Sequence, residues 1–341
     1  MFRVAIEGDA VSIVIMVFYF YEDAMKDVAK ISVDGLVPNS FHLSHWKGNQ
    51  TPVPLKADTA TEIAFRYISH PDRKSFFPQA SIITNNHFDT DGLLSVWTLL
   101  NPRKAEPMAG RLISAAEAGD FSIFSSEEGV QINLLIHGLC QARKGPISDI
   151  IDAYSGPREA AYYKGLLPLI PDLFRKKDDY RSFWGPPFEA ILHSMDLFEK
   201  GVVGVDEYEE EALSVIMDES RPARQAIDHY CQGDLILVVE DREKNEGGFG
   251  YELEYRYYSW ADTVTRPPIK TIDMVPLAKT LNRLDSAASG HWVFEDYPGR
   301  AMTSALKYTD ARGGRRLSHL HPEEVIRSVL VHLQSQKDTN G

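Results

Sequence analysis

The chain has 341 residues, of which 43% are hydrophobic and 25% charged, and its net charge is −13. This is enough chain to bury a large core in one or two domains. The charge excludes broad attraction to duplex nucleic acid, which needs clustered Lys and Arg, but not a small phosphorylated substrate held by a metal.

In chain order, the first apolar run is Val11–Phe20. It is too short to span a bilayer. Acidic residues flank it, Glu7 and Asp9 before and Glu22 and Asp23 after, which does not fit a signal peptide. We read residues 1–27 as a strand or an N-terminal extension, with Met16 as a candidate start. No membrane association is expected. Cys140 and Cys231 are the two cysteines. They give no disulfide framework, so a cytoplasmic setting is expected.

Short strands follow at Ile31–Gly35 and Phe41–Trp46, separated by a turn at Val37–Ser40. His42 and His45 are three apart, so on a strand they face opposite sides. One is expected to be exposed and the other to face a site. Asp58 or Thr59, with Glu62 behind it, opens a helix running to about Ser69. Ser81–Thr84 reads as a buried strand and Leu93–Leu100 as the helix after it.

Between these two lies His87-Phe88-Asp89-Thr90-Asp91-Gly92. Alternate residues on an extended backbone share a face, so His87, Asp89 and Asp91 can converge at the carboxyl edge of a sheet, where α/β folds bind ligands. Gly92 is expected to permit the turn into the helix. Mixed nitrogen and oxygen donors suit Mn, Zn or Fe better than Ca. A calcium loop would need Glu at its twelfth position, where this segment has Thr98. The plainer account is an acidic turn capping the helix. Capping, for which Asp91 is the candidate, uses one of the three polar residues.

From Pro107 to about Tyr230 the pattern is mostly helical. Helices are expected over Ala109–Ala118, Gly129–Ala142, Arg158–Phe174, Phe188–Lys200 and Asp206–Asp218, with Gly145-Pro146 and Gly185-Pro186-Pro187 as separators. Then Leu235–Val239 and Tyr251–Tyr258 read as strands around a hairpin loop at 242–250. Val275–Leu284 and Glu323–Leu333 read as helices with a strand, His291–Phe294, between them.

The expected fold is α/β: a parallel sheet flanked by helices, a helical insertion, and a smaller strand-containing C-terminal part. The expected domains are residues 28–231, holding the metal site, and 232–341, a smaller α+β domain. Substrate-side candidates are His291, in a Gly-His-Trp string, and Arg312 and Arg315, in Arg-Gly-Gly-Arg-Arg. Glycines admit a phosphate to the backbone and Arg can grip it bidentately. Surface turns with solvated charges are the plainer account of both.

The strand–HFDTDG–helix unit resembles the first motif of the DHH phosphoesterase superfamily. Other strings, among them Val33–Leu36, Asp58–Thr61 and Ala118–Phe121, resemble an uncharacterised bacterial domain family. The first resemblance implies a metal-dependent hydrolase acting on a small phosphorylated molecule or nucleotide. It implies His87, Asp89 and Asp91 as ligands of a divalent metal, Mn²⁺ first and Mg²⁺ or Zn²⁺ as alternatives. Asp89 or Asp91 would bridge two ions. Asp120 is the candidate for a second-motif Asp. The superfamily's Asp-His-His triplet is met only by Asp228-His229-Tyr230, which departs at its third position. That offers Asp228 as a ligand, and His229 or His45 as a catalytic group that orients the leaving group or shuttles a proton. The departure also supports an alternative, a catalytically inactive binding or regulatory module on the same fold.

Overall fold

The computed structural model describes residues 3–4, 16–77, 81–219, 221–285, 290–297 and 302–338. Residues 11–15 of the first apolar run, and Ser289 beside His291, lie outside these. The architecture is mixed α/β with two sheets. The strands are β1 (Arg3–Val4), β2 (Met16–Phe18), β3 (Lys30–Val33), β4 (Ser40–Leu43), β5 (Ile82–Thr84), β6 (Val205–Tyr208), β7 (Leu213–Asp218), β8 (Leu235–Asp241), β9 (Phe249–Tyr255), β10 (His291–Glu295) and β11 (Ala305–Thr309). The helices are α1 (Ala60–Ser69), α2 (Arg73–Phe76), α3 (Thr90–Leu100), α4 (Pro102–Ala105), α5 (Ala109–Asp120), α6 (Glu127–Gln141), α7 (Ser148–Asp152), α8 (Arg158–Leu166), α9 (Ile170–Arg175), α10 (Arg181–Glu199), α11 (Arg224–Tyr230), α12 (Glu243–Glu246), α13 (Val275–Leu284) and α14 (Pro322–Asp338).

The chain forms two compact units. The first takes residues 1–189 and 261–267, and the second takes 190–260 and 268–341. The division expected at residue 231 therefore falls at 189/190. The reason is strand pairing: Asp206–Asp218, read as a helix, is instead β6, a 3-10 turn and β7, and β7 pairs in parallel with β8. Leu213-Ser-Val-Ile-Met217 is a near-continuous apolar run, β-branched at Val215 and Ile216, as a strand buried on both faces requires. Ala212 takes a left-handed conformation to enter it (φ 50°).

In the first unit the strand order is β1-β2-β5-β3-β4. β2, β5, β3 and β4 run parallel, and β1 pairs antiparallel with β2. The later strand β5 inserts between β2 and β3, pairing Ile83 with both Phe18 and Ile31. Parallel strands bring their carboxyl ends to one edge, so Asp34, His45 and His87 leave β3, β4 and β5 on the same side. β2 thus belongs to this sheet although it lies in the stretch read as an N-terminal extension.

α3 is buried along its whole length, with Leu93, Leu94, Val96, Trp97, Leu99 and Leu100 in the core. Each such side chain contributes roughly 1.5–3 kcal/mol on burial. α3 packs on α1 and α5, and α5 on α6. Two helices differ from expectation. Arg158–Phe174 divides into α8 and α9 around Pro168. α10 runs through Pro186 and Pro187, which were expected to separate helices.

In the second unit the order is β10-β11-β9-β8-β7-β6, with β7 and β8 the parallel pair. One face carries Leu237, Leu253, Tyr255, Trp292 and Leu306 against Leu277 and Leu281 of α13 and Val325 and Val329 of α14. Ile216, Ile236 and Val238 on the other face pack with Ala226 and Ile227 of α11. Beside them that face is charged, with Glu252 and Glu254 paired to Arg221, Arg224, Arg315 and Lys307. No helix among the described residues is long and apolar enough to cross a membrane.

Candidate metal centre

Six residues of the first unit bring titratable side chains together: Asp34, His45, His87, Asp89, Asp91 and Asp120. They form two groups able to hold a metal ion: Asp34, His45, Asp91 and Asp120, and Asp34, His87 and Asp89. Asp34 belongs to both. Its Oδ1 lies 3.1 Å from His45 Nε2 and its Oδ2 lies 2.8 Å from His87 Nε2. The two carboxylate oxygens therefore serve different groups.

Asp34 follows β3 directly and is buried, with a left-handed backbone (φ 61°) that Asp tolerates better than most residues. Ser44 Oγ donates to its carbonyl. The next residue, Gly35, is closely approached by two side chains. A Cβ on Gly35 would overlap Asn86 Oδ1 and sit 2.7 Å from Asn85 Oδ1.

His45 is buried just beyond β4. Its Nδ1–H donates to the Asp58 carbonyl (2.5 Å), which directs Nε2 into the cluster. There Asp34 Oδ1, Asp120 Oδ2 and Asp91 Oδ2 stand 3.1, 3.3 and 3.6 Å away. His87 is arranged the same way. Its Nδ1 donates to Asn86 Oδ1 (3.1 Å), and its Nε2 faces Asp34 and Asp89 Oδ2 (2.9 Å). Both imidazoles thus present Nε2 and have Nδ1 fixed by a carbonyl-type acceptor, the usual outer support of a metal-binding His.

Asp89 is the N-cap of α3, accepting from Gly92 N–H through Oδ1 (2.7 Å) and leaving Oδ2 for His87. Asp91, expected as the cap of α3, instead caps a different helix. Its two oxygens accept from Ala60 N–H and Thr61 N–H, both 2.6 Å, at the start of α1. Thr59, the cap residue of α1, accepts from Glu62 N–H (3.2 Å). Gly92 lies inside α3, so its role is close approach and not the turn: a Cβ would overlap the Asn85 amide and lie 2.8 Å from the Tyr163 hydroxyl. That hydroxyl accepts from Asn85 Nδ2 (3.0 Å) and donates to the His87 carbonyl (3.1 Å). Asp120 ends α5, buried, and its Oδ2 has no partner but the His45 imidazole among the described residues.

The electrostatics follow from this crowding. Burial alone would raise the Asp34 carboxyl, but the His87 and His45 imidazoles hold it far below the carboxylate range. Burial opposes charging of the histidines, yet Asp120 and Asp34 raise His45 well above its ordinary value, and Asp89 and Asp34 do the same to His87. Burial and the neighbouring Asp34 charge push Asp91 up to about 6. Burial, then Asp91 and Asp89, push Asp120 well up. Four carboxylates in so small a volume repel one another unless protons or cations neutralise them. A buried Asp120 oxygen held, among the described residues, only by the His45 imidazole and two aimed Nε2 atoms fit a divalent cation.

The sequence-derived candidates divide by unit. His87, Asp89, Asp91, Asp120 and His45 all belong to the two groups, but His87, Asp89 and Asp91 do not converge on one point as expected: Asp91 lies in the first turn of α3 and joins the His45 group, while His87 and Asp89 form the other. His45, expected in a proton-transfer role, stands among the ligand atoms, and the shared carboxylate is that of Asp34, not of Asp89 or Asp91. Asp228, His229, His291, Arg312 and Arg315 belong to the second unit and to neither group. Asp228 accepts both nitrogens of an Arg224 fork. His229 is exposed on α11. Arg315 is engaged by Glu240 and Glu252, His291 is exposed at the start of β10, and Arg312 sits in an exposed turn folded on Asp310. Asp34 and Asp58 were not identified from sequence as site residues. Asp34 carried a usable signal, an apolar strand ending in Asp-Gly.

An α/β chain with a buried carboxylate–imidazole cluster able to bind metal is the class these features define. The chain belongs to a family described as a family of unknown function (DUF6687), whose model matches residues 16–338. No curated protein and no solved structure matches it.

Proposed function

We propose that this chain is a divalent-metal-dependent hydrolase of the phosphoesterase type, acting on a small phosphorylated molecule or nucleotide. The observation that carries the metal part is Asp34, which turns one oxygen to each of two ligand groups. The resemblance of His87–Gly92 to the first DHH motif supplies the reaction class. Asp34, His45, Asp91 and Asp120 would hold one ion, and Asp34, His87 and Asp89 the other. The donor set of carboxylates and imidazoles favours Mn²⁺, with Mg²⁺ or Zn²⁺ as alternatives.

Bound there, a pair of ions would supply Lewis-acid activation of water and neutralise phosphoryl charge. The chain's own residues do the rest. The Asp58 carbonyl and Asn86 amide keep both Nδ1 atoms protonated, so Nε2 stays directed inward. The α1 amides hold Asp91 against rotation. The side chains of His87 and Asp89 are 24% and 26% exposed, while those of Asp34, His45 and Asp91 are sealed. Substrate therefore approaches from the His87–Asp89 side, beside the Trp46 ring, whose centroid is 5.0 Å from that of His87. The Tyr163 phenol holds its proton, because burial and then the Asp89 and Asp34 charges push it well up, so its role is structural.

The test is Mn²⁺-dependent hydrolysis of bis-p-nitrophenyl phosphate and a nucleotide panel by the full chain, beside Asp34→Ala. Turnover in the wild type and its loss in the variant support the reading. Bound metal without turnover on any substrate would favour the binding module.

A further inference from the structure

Residues 261–267 belong to the first unit, although the chain on either side of them belongs to the second. They lie along the His45 side of the cluster. Ala261 bridges to Trp46. Asp262 N–H donates to the His45 carbonyl (2.6 Å), and the Asp262 carboxylate accepts from Lys56 (2.6 Å) and Asn49 (3.1 Å). Val264 N–H and Thr265 N–H both donate to Asp58 Oδ1, at 2.6 and 2.9 Å. The Thr265 hydroxyl and the Arg266 guanidinium take Asp58 Oδ2.

Asp58 is the residue whose carbonyl fixes Nδ1 of His45. Arg266 also reaches Glu117 (3.2 Å), one turn before Asp120 on α5. Its guanidinium lies 5.2 Å from the Phe121 ring centroid, and that ring is 5.7 Å from the His45 ring. One cation thus joins the residue that sets the His45 tautomer to the helix end that delivers Asp120.

We propose that residues 261–267 form a strap, and that Arg266 is a positioning residue for the Asp34–His45–Asp91–Asp120 half of the centre. The other half has its own supports in Asn86 and Tyr163; Ala261 reaches it through Trp46, whose ring faces His87, but Thr265 and Arg266 act on Asp58. The metal consequence rests on the two-ion reading above. The effect on His45 does not.

The experiment uses the full chain with Arg266→Ala, Arg266→Lys and, as a milder change, Thr265→Val. Long-range proton–nitrogen NMR of the metal-free, histidine-labelled protein reads each imidazole's Nδ1–H and the hydrogen bond it donates. In Arg266→Ala the His45 Nδ1–H signature is lost or shifted while that of His87 stays, and Arg266→Lys restores part of it. A folded Arg266→Ala with unchanged His45 overturns the strap. If Arg266→Ala does not fold, Thr265→Val decides by the same His45 signal. Calorimetric Mn²⁺ titration then reads the consequence: one ion weakened by about tenfold or more, the range for lost outer support, and one unchanged. Equal weakening of both ions would overturn the selectivity for one half. A wild type that binds no Mn²⁺ would end the two-ion reading, with the NMR result still deciding the strap.

Discussion

Removing metal from the cluster should reverse the pH dependence of stability in the first unit. Asp91 has a folded-state value of about 6, against an ordinary carboxylate value of about 3.9. A raised value means that the folded state holds the proton more tightly, so stability is lost as pH rises through this window. The full linkage is about 3 kcal/mol, of which roughly half remains to be lost above pH ~5. Asp91 is fully buried, so solvent does not screen this. Asp120 is shifted in the same sense. His45 and His87 are raised as well, so their contribution is complete below pH ~6.5 and lost as pH climbs through their folded values. Asp34 is depressed and works oppositely, but its titration is over well below this range.

With chelator present, stability should therefore fall by about 1 kcal/mol or more between pH ~5 and ~8. With Mn²⁺ the slope should be flat or rising, because bound metal replaces those protons and its affinity grows with pH. Urea unfolding read by hydrogen exchange of peptides spanning 90–100 confines the measurement to α3. A metal-free stability that is constant or rising from pH ~5 to ~8, or curves that coincide with and without Mn²⁺, would refute the reasoning.

Three further outcomes follow from particular contacts. Gly35→Ala places a methyl on Asn86, so Mn²⁺ affinity at the His87 group should fall by about tenfold or more, as measured by calorimetric titration. Tyr163→Phe leaves the Asn85 amide and the His87 carbonyl without their shared hydroxyl; it should destabilise by about 1–3 kcal/mol, read by denaturant unfolding. Asp228→Ala should leave Mn²⁺ stoichiometry unchanged, because Asp228 serves Arg224, and should destabilise the second unit by about 1–3 kcal/mol, as seen in hydrogen exchange of β8 and α11.

The parts of the site written in local sequence were legible. The apolar strand and the apolar helix after it brought His87 and Asp89 to one group, because chain direction is a local property, but the expected alternation ends at Asp89: Asp91 already lies in the first turn of α3 and turns to the His45 group instead. Asp120 was suggested by its string, and His45 by the spacing that separated it from His42. The rest depended on strand order. Asp34 meets His87 because β5 inserts between β2 and β3, and no local pattern encodes that insertion. Asp91 looked like the cap of its own helix, but the orphan amides it satisfies belong to α1, about thirty residues earlier in the chain. The Asp206–Asp218 segment was misread because its acidic half suggested a solvated helix, while its apolar half pairs with β8. Asp58 and Arg266 meet across more than two hundred residues, beyond the reach of any pattern along the chain.

The central claim is that Asp34 serves two metal ions at once. Equilibrium dialysis with Mn²⁺ tests it directly, comparing wild type, Asp34→Ala and Asp89→Ala, each checked for an intact fold. The account predicts two ions in the wild type, one in Asp89→Ala and none retained tightly in Asp34→Ala. No bound metal in the folded wild type, or equal metal content in wild type and Asp34→Ala, would contradict it.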